Sequence, residues 1–128
     1  MTKYVMDASA WIEYFRGESK GLEVKRFLDK PENLIFTNSV TIAEIASKIA
    51  REGWNPDEPI NIILSRSKII TLDENPSKKV GFLHASIRKE RKNFSYGDAF
   101  VLFTANMLEA NIVTTDSDFK GMKNVIFL

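Results

Sequence analysis

The sequence predicts an α/β domain built on a parallel sheet of four to five strands. Two observations carry this. Short segments rich in Val, Ile and Phe alternate with longer helical stretches along the chain. The short segments are apolar throughout rather than alternating, as strands covered on both faces should be. No repeat, low-complexity tract or linker divides the 128 residues, so one domain over residues 1–128 is expected.

Lys3–Met6 reads as the first strand, closed by Asp7, and Ala8–Phe15 as a helix stopped near Gly17. Ser19–Lys30 carries Leu22, Val24, Phe27 and Leu28 at helical spacing, with Pro31 beyond it. Asn33–Thr37 is a buried strand. Thr41–Arg51 is a helix with Ile42, Ile45, Ala46 and Ile49 on one face, ended by Gly53. Pro56 and Pro59 open a helix toward Arg66. Lys68–Leu72 is a strand, Pro76–Lys92 a helix with a basic end, and Ser95–Ala110 a nearly all-apolar helix. Asn111–Thr115 and Asn124–Leu128 are the last strands.

Composition narrows the chemistry. The chain is 44% hydrophobic and 27% charged, which excludes a disordered protein. Without cysteine there is no disulfide, thiolate zinc site, iron–sulfur cluster or cysteine nucleophile. The single histidine, His84, excludes a two-histidine acid–base ribonuclease and a multi-histidine metal site. A net charge of +1 gives no bulk field for nucleic acid, so any such contact must come from a local patch. No apolar run reaches membrane length, and Met1–Ile12 is interrupted by Lys3, Asp7 and Ser9. The expectation is a cytoplasmic protein without a membrane span.

In an open parallel sheet, sites form beyond the carboxyl ends of the strands. Asp7 and Asp116 follow strands there, Asp98 lies in the first turn of the most apolar helix, and Glu44 lies one turn into another. Carboxylate oxygens with no histidine or cysteine beside them suit Mg²⁺ or Mn²⁺ rather than zinc. Each residue also has a structural reading. Asp7 fits a simple N-cap, and Asp116 fits a cap of the turn Ser117–Lys120. Thr41 to Glu44 and Ser95 to Asp98 both have capping-box spacing. Glu44 falls toward Ser47, Lys48 and Arg51 on the helical wheel, where an i,i+4 pair with Lys48 accounts for it. Asp98 carries the strongest physical signal, because Leu102 and Ala105 share its face and a buried charge needs a partner.

Lys78, Lys79, Arg88, Lys89, Arg91 and Lys92 form a basic stretch just before Asp98, with Phe94 and Tyr96 beside it as surfaces on which bases can stack. A solvated helix face with core aromatics is the plainer account. His84 shares a face with Arg88 and reads as a packed surface residue.

Four segments together resemble the motifs of PIN-domain ribonucleases, in particular the small VapC-like toxins of toxin–antitoxin pairs. They are VMDASAW, SVTIAEIAS, YGDAFVLFTA and IVTTDSDFKGM, in that order along nearly the whole chain. The resemblance implies a three-layer α/β/α fold and a metal-dependent endoribonuclease, the toxin of a type II system. It implies a catalytic set of Asp7, Glu44, Asp98 and Asp116. Asp7, Asp98 and Asp116 would hold Mg²⁺ or Mn²⁺, with Glu44 and Asp118 as auxiliary acids. Ser9 matches a position near the metal, and Ser9, Arg88, Lys89, Arg91 and Lys92 are the candidate RNA contacts. An RNA substrate, a homodimer and a small antitoxin partner are further expectations. Leu102 and Phe103 depart from the small residues usual in the third motif. Two other readings stand beside this one: a catalytically weak PIN-fold module binding RNA or protein, and a receiver-like phosphoacceptor domain using Asp73 after KIITL.

Overall fold

The computed structural model describes residues Met1–Leu128. Its elements, in chain order, are β1 (Thr2–Met6), α1 (Ala8–Arg16), α2 (Ser19–Asp29), β2 (Asn33–Asn38), α3 (Ser39–Arg51) and α4 (Asp57–Arg66). They continue with β3 (Lys68–Ile70), α5 (Glu74–Arg88), α6 (Tyr96–Leu108), β4 (Asn111–Thr114), a 3-10 turn (Ser117–Phe119) and β5 (Val125–Phe127). The five strands form one parallel sheet in the order β3-β2-β1-β4-β5. The chain builds outward from β1 through β2 to β3, then crosses back to place β4 on the other side of β1. That reversal is a topological switch point, where the loops leaving two neighbouring strands part and open a crevice.

Consecutive residues of the central strands enter opposite cores, which explains their unbroken apolar runs. Val5, Phe36 and Ile112 pack with Val80, Val101 and Leu102 on the side of α5 and α6. Met6, Ile35 and Val113 pack with Trp11, Val24, Ile45 and Ile63 on the side of α1 to α4. The result is a three-layer α/β/α sandwich. Trp11, Phe94, Phe119 and Met6 are fully buried, and each such side chain stabilises the fold by about 2 kcal/mol.

Several boundaries differ from the sequence expectation for local reasons. α3 begins at Ser39, not Thr41, because the Asn38 side chain accepts from the Val40 N–H at 2.8 Å and caps the helix earlier. The Thr41–Glu44 capping box therefore does not form. α5 begins at Glu74 because Pro76 sits in the first turn, where a backbone N–H has no partner to lose. It ends at Arg88 rather than Lys92. Beyond it, Arg91 turns toward the 3-10 turn and Phe94 enters the core. β3 stops at Ile70, having run out of partners on β2.

Candidate active site

The crevice between β1 and β4 gathers the acids. The β1–β4 register pairs Met6 with Val113, and the Asp7 N–H extends the ladder to the Val113 carbonyl at 3.1 Å. Asp7 stands at the N-cap position of α1, yet its side chain caps nothing. One oxygen instead accepts from the Ser9 hydroxyl at 2.8 Å and the Thr114 hydroxyl at 2.7 Å. Ser9 Oγ also accepts from the Thr115 N–H, and Thr114 Oγ1 from the Asp116 N–H. These bonds lock the end of β1 to the loop after β4. Asp7 is 4% exposed. Burial pushes its carboxyl upward and the Asp116 charge adds to that, against the two hydroxyls.

Asp98 forms the capping box that its spacing predicts. The Ser95 hydroxyl accepts from the Asp98 N–H at 3.0 Å, and one Asp98 oxygen accepts from the Ser95 N–H at 2.9 Å. The second oxygen stays free for the crevice. Burial, with the charges of Asp116 and Asp7 behind it, raises the carboxyl to about 6, against the Ser95 bonds. Structural cap and acid pocket thus coexist in one side chain. Asp116 caps the 3-10 turn by accepting from the Asp118 N–H at 2.9 Å. Asp118 follows on the same turn, its carboxyl raised by burial and by Asp116 and lowered by Arg91.

Asp98, Asp116 and Asp118 each offer a carboxylate oxygen, all within 4.8 Å of one another. Three hard oxygen donors so close repel each other, and such a donor set is the kind that Mg²⁺, Mn²⁺ or Ca²⁺ takes. The residues present therefore fit a divalent ion. The closest-set trio includes Asp118, which the sequence reading treats as auxiliary. Asp7 sits behind it against the two hydroxyls.

Glu44 corrects the helical wheel. It keeps solvent exposure, but Lys48 pairs with Glu52 at 3.6 Å rather than with Glu44. The Glu44 carboxylate lies against the first turn of α6, where a Cβ on Gly97 would overlap it. The missing side chain of Gly97 creates its berth. Desolvation there, with the charges of Asp7, Asp98 and Asp116, raises Glu44 to about 7. The wheel misses this because it scores a helix by its own core face, whereas Glu44 faces another helix end.

The basic stretch divides. Arg88, Lys89 and Lys92 are exposed and form no ion pair. Arg91 differs from them: its Nη1 donates to the carbonyls of Asp118 at 2.7 Å and Lys120 at 2.9 Å. It straps the turn that carries two of the acids. Ser9 is likewise spent within the Asp7–Thr114 lock. Phe94 is fully buried, edge-on to Phe119 at 5.6 Å, so it cannot stack on a base. His84 is a buried residue rather than a surface one. The largest concavity, about 490 Å³, lies apart from the acids, between Phe15, Ile49, Trp54 and Ile62.

The topology disposes of the phosphoacceptor reading. Receiver domains use the order 2-1-3-4-5, not the 3-2-1-4-5 seen here. Asp73 is exposed at the start of α5, outside the cluster of acids.

The family model for the PIN domain matches residues 4–125. No curated protein sequence matches the chain. Among solved structures, the chain is similar to a toxin–antitoxin complex from Klebsiella pneumoniae at 23% identity and a TM-score of 0.68, covering 96% of this chain and 95% of that one. It is similar to VapBC2 from Rickettsia felis, bound to a DNA fragment from its promoter, at 19% identity and a TM-score of 0.73, covering 99% and 98%. It is also similar to the Mycobacterium tuberculosis toxin VapC20, described as cleaving the sarcin–ricin loop, at 17% identity and a TM-score of 0.77, covering 95% and 96%. At these identities the likeness is one of fold.

Proposed function

Because the chain belongs to the PIN-domain family, we propose that it is a Mg²⁺- or Mn²⁺-dependent endoribonuclease, the toxin of a type II toxin–antitoxin pair. The observation that carries this is the convergence of Asp98, Asp116 and Asp118, with Asp7 and Glu44 acting on them, at the sheet's switch point. A binding module has no use for so many mutually repelling carboxylates in one place, four of the five with raised proton affinity.

Asp98, Asp116 and Asp118 would hold the ion, and Asp7 supports them from behind through its charge. When bound, the ion supplies Lewis acidity toward a water and charge compensation at the scissile phosphate. Glu44, exposed and near neutrality, accepts a hydrogen bond from the attacking water and orients it. Asp7 stays fixed by Ser9 and Thr114, so the site is set before substrate arrives. Arg88, Lys89 and Lys92 hold the flanking phosphates as mobile surface cations. No covalent intermediate is required, which suits a chain with no cysteine and a buried histidine.

The likeness to toxin–antitoxin complexes supports a small antitoxin partner. An arginine or lysine from such a partner, entering the acidic crevice, would take the place of the cation's charge. A homodimer and a cytoplasmic setting complete the reading. No helix is long and apolar enough to cross a membrane.

The test is incubation of the purified protein with single-stranded RNA, with Mn²⁺ and with excess EDTA. Cleavage should require the metal and should disappear in Asp98→Asn. Cleavage that persists in EDTA, or a metal-loaded protein inert toward RNA, overturns the assignment.

A further inference from the structure

Tyr96 opens α6, two positions before Asp98, and is 66% exposed. An exposed aromatic side chain ordinarily rotates freely. This one lies on the His84 imidazole, with ring centroids 4.1 Å apart and planes inclined by 24°. His84 is buried, and its Nε2 lies 3.0 Å from the Phe94 carbonyl. A carbonyl can only accept, so Nε2 carries the proton and the ring orientation is fixed. Phe94 is anchored in turn by its full burial against Phe119. The tyrosine ring therefore has a rigid floor beneath it and one face open to solvent.

Its surroundings are lopsided. The next residue, Gly97, carries the berth of the Glu44 carboxylate. In the segment between α5 and α6, just before Tyr96 in the chain, are the exposed, unpaired Lys89 and Lys92 and the exposed polar Asn93 and Ser95. An aromatic face whose flanking segments carry exposed cations before it and the clustered acids after it is an arrangement by which single-stranded nucleic acid is held.

We propose that Tyr96 is a stacking platform for an unpaired base next to the scissile phosphate, and that His84 is the positioning residue that holds the ring in place. This rests on the nuclease reading above. Because the ring is already oriented, binding immobilises little that was mobile. The contact accepts any base, since every base has a π-face.

The experiment uses the full chain and a single-stranded RNA carrying 2-aminopurine, whose emission falls when it stacks. Binding is measured in EDTA, and cleavage kinetics in Mn²⁺. Tyr96→Ala should weaken binding about tenfold, abolish the quench, and raise KM by a similar factor with kcat unchanged. Tyr96→Phe should behave as wild type. His84→Gln keeps an N–H for the Phe94 carbonyl but removes the floor, and should raise KM about threefold without changing kcat. Circular dichroism should show all three folded. A wild-type protein that cleaves RNA while Tyr96→Ala keeps its KM and its quench overturns the platform alone. A change in oligomeric state with unchanged KM assigns the ring to a protein surface and also overturns it. A wild-type protein that neither binds nor cleaves RNA overturns the nuclease reading instead.

Discussion

Asp98→Asn should stabilise the ion-free protein at alkaline pH while destroying its activity. Asp98 is 7% exposed, and its carboxyl stands at about 6 instead of 3.8 through burial and through the charges of Asp116 and Asp7. Between those two values the fold binds a proton that the unfolded chain has released. Stability therefore falls as pH rises from about 4 to about 6, and the penalty is fully present above that. The gap corresponds to about 3 kcal/mol at pH 8. Asparagine carries no charge, and its side-chain oxygen still accepts the Ser95 N–H while the Ser95 hydroxyl still accepts the amide of residue 98. Exchanging a charged acceptor for a neutral one loses about 1 kcal/mol. The net gain of about 2 kcal/mol should raise Tm by about 8 °C for a chain of this length. At pH 4 the wild-type carboxyl is protonated in the fold, and the advantage should vanish. Thermal unfolding in EDTA at pH 4 and pH 8 measures both ends. Mn²⁺ should then raise the Tm of the wild type and leave the variant where it was, since an ion stabilises only a state that binds it. A lower Tm for the variant at pH 8, or the same shift at both pH values, would refute the account of a repelling acid pocket.

Gly97→Ala places a methyl group where the Glu44 carboxylate lies. RNA cleavage should drop about a hundredfold, while the helix gain of about 0.5–1 kcal/mol leaves Tm equal or higher. Full activity would mean that the berth of Glu44 does nothing. Arg91→Ala removes both bonds to the carbonyls of the acidic turn. Calorimetric titration should show Mn²⁺ affinity lower by about tenfold, and unchanged affinity would show that the strap does not organise the site. Thr41 Oγ1 is buried without a hydrogen-bond partner. Thr41→Val should gain about 1 kcal/mol in urea unfolding at constant slope, and a loss would reveal a partner for the hydroxyl.

Most of the fold was legible because its cause is local. Apolar runs such as Asn111–Thr114 lie between turn signals, and period and length suffice to place them. Strand order was not legible, because nothing in KIITL or NVIFL names the neighbour each strand chooses. In the site, Asp98 stood out because a single helix supplies both the charge and the apolar stripe. Glu44 did not, because its berth depends on a glycine 53 positions away on another helix. The role of Arg91 was hidden in the same way. A cation reads as a free charge until the carbonyls of Asp118 and Lys120 are seen beneath it. The split between Phe94 and Tyr96, one interior and one facing outward, also depends on where α5 ends.

β1 lies in the middle of the sheet, and the aspartate that follows it is latched by a threonine 107 positions later. The three acids that stand closest together, Asp98, Asp116 and Asp118, come from α6 and from the turn that follows β4. The latch and the trio therefore depend on contacts between distant parts of the chain, and the acids come together only when β4 has paired with β1.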